Sequence, residues 1–231
     1  MLNFTFHNPT AIVFGEGSIT QLSERIPAGA RVLLLYGGSS AEKNGTLKEV
    51  RAALHGRDVH EFGGIEPNPT YETLMRAVEL VRANNLDFLL AVGGGSVIDG
   101  TKFVAAAVNF QGDPWEILES HGTVVSGAMP FGSVLTLPAT GSEMNSGAVI
   151  TRRASKAKLS FLSDHVFPRF SILDPTKTNS LPERQLANGV VDAFTHVMEQ
   201  YLNYPAGGLI QDRFAESLLQ SFAEHDGRIF H

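Results

Sequence analysis

The chain contains no cysteine among its 231 residues. A disulfide framework, a thiolate nucleophile and a thiolate metal site are therefore excluded within this sequence. It also has no excess of basic residues, because 18 Lys and Arg stand against 24 Asp and Glu, for a formal net charge of −6. This charge balance argues against a nucleic-acid-binding surface.

Long apolar runs are also missing, since none approaches the roughly 20 residues that a membrane span needs. The first residues, Met-Leu-Asn-Phe-Thr-Phe-His, do not place a basic stretch before an apolar one, so no signal peptide is expected. A hydrophobic content of 43% with 18% charged residues is typical of a globular protein. We therefore expect a soluble, cytoplasmic protein without membrane contacts.

Short apolar runs alternate with amphipathic stretches along most of the chain. This alternation predicts βαβ units and a Rossmann-like α/β fold with a mainly parallel sheet. The run at 88–92 is apolar throughout, as expected for a strand covered on both faces. The predicted strands are 11–14, 31–36, 59–62, 88–92, 133–137 and 170–173.

Helical patterns fill the gaps between these strands at 43–54, 74–81 and 97–109. The second pattern follows Asn68 and Pro69, which predicts an N-cap with proline at the first helical position. Beyond residue 178 the sequence contains only two long helical patterns, at 181–204 and 209–224. We expect a dinucleotide-binding α/β domain over 1–178 and the incomplete start of an all-helical domain over 179–231, because two helices leave an apolar face uncovered.

The turn at 93–96 (Gly-Gly-Gly-Ser) ends an apolar strand and opens a helix, which is the usual arrangement of a phosphate site. It does not match the dinucleotide fingerprint, because Ile98 replaces the last glycine, nor a P-loop, because Thr101-Lys102 reverses the Lys-Ser/Thr order. A tight connection without a ligand fits this turn equally well. Similar turns at 36–40 and 138–143 favour the ligand, since open α/β sheets bind ligands at the carboxyl ends of their strands.

The turn after Tyr36 offers no carboxylate to an adenosine ribose. Its residues 37–40 (Gly-Gly-Ser-Ser) are followed closely by Lys43. Small donors and a cation suit a 2′-phosphate better than an ionised acid would. The sequence therefore favours NADP(H), although ordinary turn residues would look the same.

Asp192 and His196 lie four residues apart in a helical pattern, so both point from one face. Carboxylate and imidazole suit a divalent metal, zinc or iron above all, but such a pair is also a common surface hydrogen bond. A tetrahedral zinc site needs at least one more protein ligand. In an antiparallel hairpin His225 would lie about 12 Å from His196 along the axis, at about 1.5 Å per residue, so it cannot complete the site. The sequence therefore predicts an incomplete metal site with two ligands.

Four stretches taken together resemble the iron-containing (group III) alcohol dehydrogenase family, in its NADPH-dependent aldehyde reductase and butanol dehydrogenase branch. They are 62–69 (Phe-Gly-Gly-Ile-Glu-Pro-Asn-Pro), 93–102 (Gly-Gly-Gly-Ser-Val-Ile-Asp-Gly-Thr-Lys), 137–143 (Leu-Pro-Ala-Thr-Gly-Ser-Glu) and 188–196 (Asn-Gly-Val-Val-Asp-Ala-Phe-Thr-His). The resemblance implies an N-terminal dinucleotide domain, a C-terminal helical metal domain and an active site in the cleft between them.

The resemblance also implies roles for individual residues. Gly94, Gly95 and Ser96 would hold the cofactor pyrophosphate, and Gly38 and Ser40 would face the 2′-phosphate. Further positions that match cofactor-lining residues of the family are Asp99, Thr136, Thr140, Asn145 and Lys158. Asp192 and His196 match the first two metal ligands, whereas the family's other two, both downstream histidines, have no counterpart here.

The expected function is an NADP(H)-dependent oxidoreductase that interconverts small aldehydes and primary alcohols, with the metal as Lewis acid on the carbonyl oxygen. We expect cofactor binding with weak or no turnover from these 231 residues. One alternative is a non-catalytic dinucleotide-binding module, and exposed apolar helix faces favour a homodimer. Another is a glycerol dehydrogenase or sugar-phosphate enzyme of the same fold, which would favour NAD.

Overall fold

The computed structural model describes residue 3, residues 5–203 and residues 207–225. Contacts between Cα atoms divide the chain into two compact units. One unit is His7–Asn179, and the other contains the described residues before His7 and those from Ser180 onward.

The unit His7–Asn179 is built on a six-stranded sheet with the order β1-β8-β5-β4-β2-β3. All five strand pairings in this sheet are parallel. The expected α/β architecture with a mainly parallel sheet is therefore confirmed. Its strands are β1 (Ala11–Phe14), β2 (Arg31–Tyr36), β3 (Asp58–Phe62), β4 (Phe88–Gly94), β5 (Phe131–Leu137) and β8 (Phe170–Leu173).

The central strands are apolar on both faces because each face is covered by helices. On β2, Leu33 and Leu35 belong to one core, and Val32 and Leu34 belong to the core on the opposite face. This division follows from the two-residue period of a strand. The first core includes residues of the helices at 71–84 and 95–107, and the second includes residues of the helices at 22–25, 40–43 and 46–53.

Six helices belong to this unit, together with three short 3₁₀ segments. The predicted helix at 43–54 is shorter in the structure: Lys43 ends one helix, and the next begins at Thr46 after Gly45, which has a left-handed φ of 82°. The predicted cap of α4 was also wrong: the helix begins at Tyr71, and the Thr70 side chain caps it by accepting from the Thr73 N–H. The helices are α1 (Leu22–Arg25), α2 (Ser40–Lys43), α3 (Thr46–Ala53), α4 (Tyr71–Asn84), α5 (Gly95–Ala107) and α6 (Glu116–Glu119).

A two-stranded antiparallel hairpin, β6 (Gly147–Arg152) and β7 (Ala157–Leu162), lies outside the main sheet. The sequence analysis did not assign it as an element. It is held near the start of α4, since the Thr151 N–H donates to the Pro69 carbonyl at 2.9 Å. Lys158, one of the expected cofactor-lining residues, lies on β7 of this hairpin.

The second unit contains two helices that pack on each other, α7 (Glu183–Tyr201) and α8 (Leu209–His225). The predicted end of the first helix at residue 204 lies outside the described residues. No α7 residue is fully buried, and apolar side chains such as Leu209, Ile210 and Phe214 are exposed. Within the described residues, no helix is both long and apolar enough to cross a bilayer.

Candidate functional site

The three polar turns lie at one edge of the sheet. They follow β2, β4 and β5, which are parallel neighbours in the order β5-β4-β2. Parallel strands end at the same edge, and this is where open α/β sheets bind ligands. The fold thus brings together turns that lie far apart in the sequence.

The central turn leads directly from β4 into α5. Gly94 is the N-cap residue and Gly95 the first helical residue, and α5 continues for 13 residues. The first N–H groups of a helix have no partner inside the helix, and its dipole adds positive potential at that end. This end of α5 can therefore bind an anion such as a phosphate.

Thr140, in the segment after β5, lies directly against the start of α5. A Cβ on Gly95 would lie 2.7 Å from Thr140 Cγ2 and 3.0 Å from Thr140 Cβ. Real Cβ atoms do not approach other atoms so closely, so the contact depends on glycine at this position. Two residues predicted from separate motifs, Gly95 and Thr140, are thereby in contact.

Asn68 links Ser96 to Lys158, and the sequence analysis gave it no role in the site. Its backbone N–H donates to Ser96 Oγ at 3.3 Å, and its Oδ1 accepts from Lys158 Nζ at 2.8 Å. Asn68 has a φ of 56°, a left-handed conformation that asparagine adopts more readily than most residues. The stretch at 62–69, noted for the resemblance, contained the signal for this residue.

Asp99 is partly buried, and both of its oxygens accept from protein groups. Oδ1 accepts from Ser142 Oγ at 2.7 Å, and Oδ2 accepts from the Val149 N–H at 3.0 Å. Burial raises the pKa of the Asp99 carboxyl, while these hydrogen bonds and the nearby Lys102 ammonium act in the opposite direction. The carboxylate therefore connects α5 to the segment after β5.

The remaining residues at this edge of the sheet are Lys102 on α5, Thr136 on β5 and Asn145 in the segment after β5. Lys102 is fully buried and donates from Nζ to Asn145 Oδ1 at 2.7 Å, and to the backbone oxygens of Asn145 and Gly147 at 2.8 Å each. Thr136 is half-buried on β5. From the sequence, Lys102 was part of a failed P-loop match and of the stretch 93–102 but was given no role in the site, because lysine is rarely expected in a core.

The turn after β2 places Gly38 and Ser40 in exposed positions, with Ser40 opening α2. The one acidic residue of α2, Glu42, is paired with Arg51 at 2.8 Å. Lys43 is exposed and makes no ion pair with any residue that the structure describes. Arg51 also pairs with Glu61 at 2.8 Å, so among the described residues at this turn Lys43 is the cation left to contact a phosphate.

The two predicted metal ligands lie on α7 in the second unit. His196 Nε2 is 3.7 Å from Asp192 Oδ1, and their side chains are 63% and 51% exposed. The residues that the structure describes contain no group of three or more His, Cys, Asp or Glu side chains able to share a metal ion. The side chain of His225 and residues 226–231 lie outside that part of the chain. A donor set of two does not fit a resident metal, because structural and catalytic zinc sites use at least three protein ligands.

Comparison with known proteins gives a consistent result. The family model for iron-containing alcohol dehydrogenase matches residues 9–175. The chain is 58% identical over 226 residues to the NADPH-dependent aldehyde reductase YqhD of Escherichia coli K12, covering 97% of this chain and 58% of that protein. It is 47% identical over 227 residues to a protein named probable NADH-dependent butanol dehydrogenase 1 of Bacillus subtilis, with the same two coverages.

The solved structures agree with the sequence comparison. The crystal structure of E. coli K-12 YqhD superposes with a TM-score of 0.92 at 56% identity, covering 96% of this chain and 59% of that one. The chain thus spans somewhat more than half the length of the relatives that it matches. Together with the family match over residues 9–175, this likeness shows that the chain belongs to the iron-containing alcohol dehydrogenase family.

Proposed function

We propose that this chain binds NADP(H) across the carboxyl edge of its parallel sheet. The observation that carries the proposal is the set of three polar turns after the neighbouring strands β2, β4 and β5. The middle turn supports a pyrophosphate at the N-terminus of α5. The adenosine half of the cofactor then extends toward β2, and the nicotinamide half extends toward β5.

The reaction we propose is hydride transfer between NADP(H) and an aldehyde or primary alcohol. NADPH gives its hydride to the carbonyl carbon and a proton from water completes the alcohol, which leaves NADP⁺. The E. coli relative is named an NADPH-dependent aldehyde reductase, and this name supports the substrate class. The residues of this chain would bind and orient the dinucleotide, with Ser96 and Lys158 held relative to each other by Asn68.

NADP(H) is the proposed cofactor rather than NAD(H), although the relatives carry both names. The support is the turn after β2, where Glu42 is paired with Arg51 and Lys43 is not paired. We expect Lys43→Ala to weaken NADPH binding about tenfold, since a charge-assisted hydrogen bond contributes about 1.5–3 kcal/mol.

The measurement for this prediction is titration with NADPH and with NADH, each followed by calorimetry. Affinity for NADH should stay within about twofold, and Lys48→Ala, which removes an exposed lysine on α3, should leave both affinities unchanged. Equal losses for both cofactors in Lys43→Ala would contradict a 2′-phosphate contact at this turn.

We expect turnover by these 231 residues to be weak or absent, because the described residues contain no group of three metal-ligating side chains and Asp192 and His196 make only two. The assay is NADPH-dependent aldehyde reduction with added zinc, iron or manganese. Robust turnover in any of them would contradict this expectation and would require further ligands.

The same two-residue donor set favours a second candidate, a dinucleotide-binding module without activity of its own. Static light scattering with metal analysis separates the candidates. A metal-free species that binds NADPH without turnover supports the module, and the homodimer expected from the exposed apolar side chains of α8 would be seen in the same experiment. A metal-loaded species that turns over supports the enzyme.

A further inference from the structure

Two charged side chains on α5, Asp99 and Lys102, project from one helical turn onto the segment that follows β5. This segment, residues 138–146, is called the β5–β6 segment below. Lys102 has no exposed surface, and the surrounding residues of α5 are almost all buried and apolar. Placing a charge in such a position is costly unless its hydrogen bonds are satisfied. All three donors of the Lys102 ammonium meet oxygens of this segment or of Gly147 beside it.

Lys102 determines which way the amide of Asn145 is turned. An ammonium group has donors but no acceptor, so the Asn145 atom 2.7 Å from Nζ must be the oxygen Oδ1. The Gly147 N–H also donates to Oδ1, at 3.0 Å. Burial lowers the pKa of Lys102 to about 8, so the group is still mainly protonated at neutral pH. The Asn145 amide nitrogen donates one hydrogen to the Thr140 carbonyl at 3.4 Å and presents its second hydrogen at an exposed position.

Asp99 determines the direction of a chain of hydroxyl protons that ends at Thr140. The ionised carboxylate can only accept, so the hydroxyl proton of Ser142 is committed to Asp99 Oδ1. Ser142 Oγ must then accept the proton of Thr140 Oγ1, 2.6 Å away. The exposed Thr140 hydroxyl is left with lone pairs, one of which accepts from the Ser142 N–H at 3.2 Å. Thr140 therefore presents an acceptor.

The β5–β6 segment is also held by β8, the strand next to β5 in the sheet. Ser171 on β8 donates to the Glu143 carbonyl at 2.6 Å and accepts from Ser133 on β5 at 2.7 Å. The segment is thus fixed by α5, β5 and β8 at once. Its polar atoms are preorganised before any ligand arrives, and such preorganisation improves affinity by reducing the ordering cost of binding.

We propose that Lys102 and Ser142 are positioning residues that fix an acceptor at Thr140 and a donor at Asn145 for the nicotinamide riboside half of the cofactor. This inference rests on the proposed function, because the sheet order places that half beside β5 if the pyrophosphate lies at α5. An adjacent donor and acceptor suit a group that carries both, as the nicotinamide carboxamide and the ribose hydroxyls do. They do not suit a phosphate, which offers acceptors alone.

The test compares two ligands that differ only in the part that would contact the β5–β6 segment. NADPH contains the nicotinamide, whereas 2′-phospho-ADP-ribose lacks it and keeps the adenosine and the pyrophosphate. We expect Lys102→Met and Ser142→Ala each to weaken NADPH binding about five- to tenfold and to change 2′-phospho-ADP-ribose binding less than twofold. Lys48→Met, an exposed lysine on α3, is the matched control and should change neither.

Three results would overturn the inference while leaving the cofactor proposal intact. The first is an equal loss of affinity for both ligands in folded variants, which would indicate a general structural role. The second is no loss of affinity for either ligand. The third is a loss of NADPH affinity in Lys102→Met but not in Ser142→Ala. Ser142→Ala removes one hydroxyl and keeps the inference testable if Lys102→Met does not fold. If the unmodified chain bound neither ligand, the proposed function itself would fail, and this inference with it.

The 3-acetylpyridine analogue of NADP⁺ shows whether Thr140 and Asn145 bind the nicotinamide carboxamide or the ribose hydroxyls. It replaces the amide N–H donors of the carboxamide by a methyl group. If the unmodified chain prefers NADP⁺ over this analogue and the variants lose that preference, the carboxamide is the group that is held. If each variant weakens the binding of both dinucleotides by the same factor, the ribose hydroxyls are the group that is held.

Discussion

Gly95→Ala is expected to lower the affinity of the chain for NADPH at least tenfold. The new Cβ would lie 2.7 Å from Thr140 Cγ2 and 3.0 Å from Thr140 Cβ, so either Thr140 or the first turn of α5 has to move. Both belong to the proposed site, and a loss of about 1.4 kcal/mol at either corresponds to a factor of ten. The measurement is NADPH titration by calorimetry or by fluorescence.

The matched control is Gly127→Ala. Gly127 is exposed, and a Cβ there would meet nothing within 4 Å. This variant should bind NADPH as the unmodified chain does. A double variant, Gly95→Ala with Thr140→Ala, should relieve only part of the clash, because it removes Thr140 Cγ2 and Oγ1 and keeps the Thr140 Cβ at 3.0 Å. Unchanged NADPH affinity in Gly95→Ala would show that the start of α5 is not part of the cofactor site.

Gly122→Ala is expected to destabilise the unit His7–Asn179 by roughly 3 kcal/mol, the largest effect on stability that we predict. Gly122 has a φ of 91°, and a Cβ there would lie 2.9 Å from the backbone carbon of Leu162 and even closer to its oxygen. The strained φ costs about 1–2 kcal/mol and the overpacking about 1–3 kcal/mol more. Leu162 ends β7, so the hairpin that carries Lys158 would be displaced.

Gly29→Ala measures the cost in stability of a left-handed backbone conformation alone, without a steric clash. Gly29 has a similar φ of 79°, but nothing lies within 4 Å of its added Cβ. This variant should lose only about 1–2 kcal/mol. Urea denaturation of the two variants gives the comparison, and similar losses in both would contradict a close approach between Gly122 and Leu162.

The position of the candidate site could be predicted from the sequence because its main signals are local. The strand at 31–36 has the bounds of β2, and the glycine-rich turn at 93–96 does open a helix. Strands covered on both faces are apolar throughout, so they stand out from the surrounding amphipathic stretches. Once these strands are parallel, their turns must lie at one edge, without knowledge of any side chain.

The internal organisation of the site could not be predicted, because it depends on contacts between distant residues. Lys102 and Asn145 are 43 residues apart, and nothing near Lys102 indicates that it is buried. A lysine in a helix is expected at the surface. The bridge from Ser96 through Asn68 to Lys158 depends on the hairpin of β6 and β7, which was not predicted from the sequence.

The metal pair is a case in which the sequence pattern predicted a local arrangement but not a complete site. The spacing of Asp192 and His196 predicted two side chains on one helix face, and the structure places them 3.7 Å apart on α7. A pair on one helix cannot enclose an ion, since the remaining ligands must come from other elements. The metal-dependent chemistry of the family therefore stays a proposal for this chain.

The most direct measurement is a crystal structure of the chain with NADPH. We predict the pyrophosphate at the first turn of α5, the 2′-phosphate beside Ser40 and Lys43, and the nicotinamide half against Thr140 and Asn145. NADPH bound at any other part of the molecule, or with its two halves reversed relative to β2 and β5, would contradict this account.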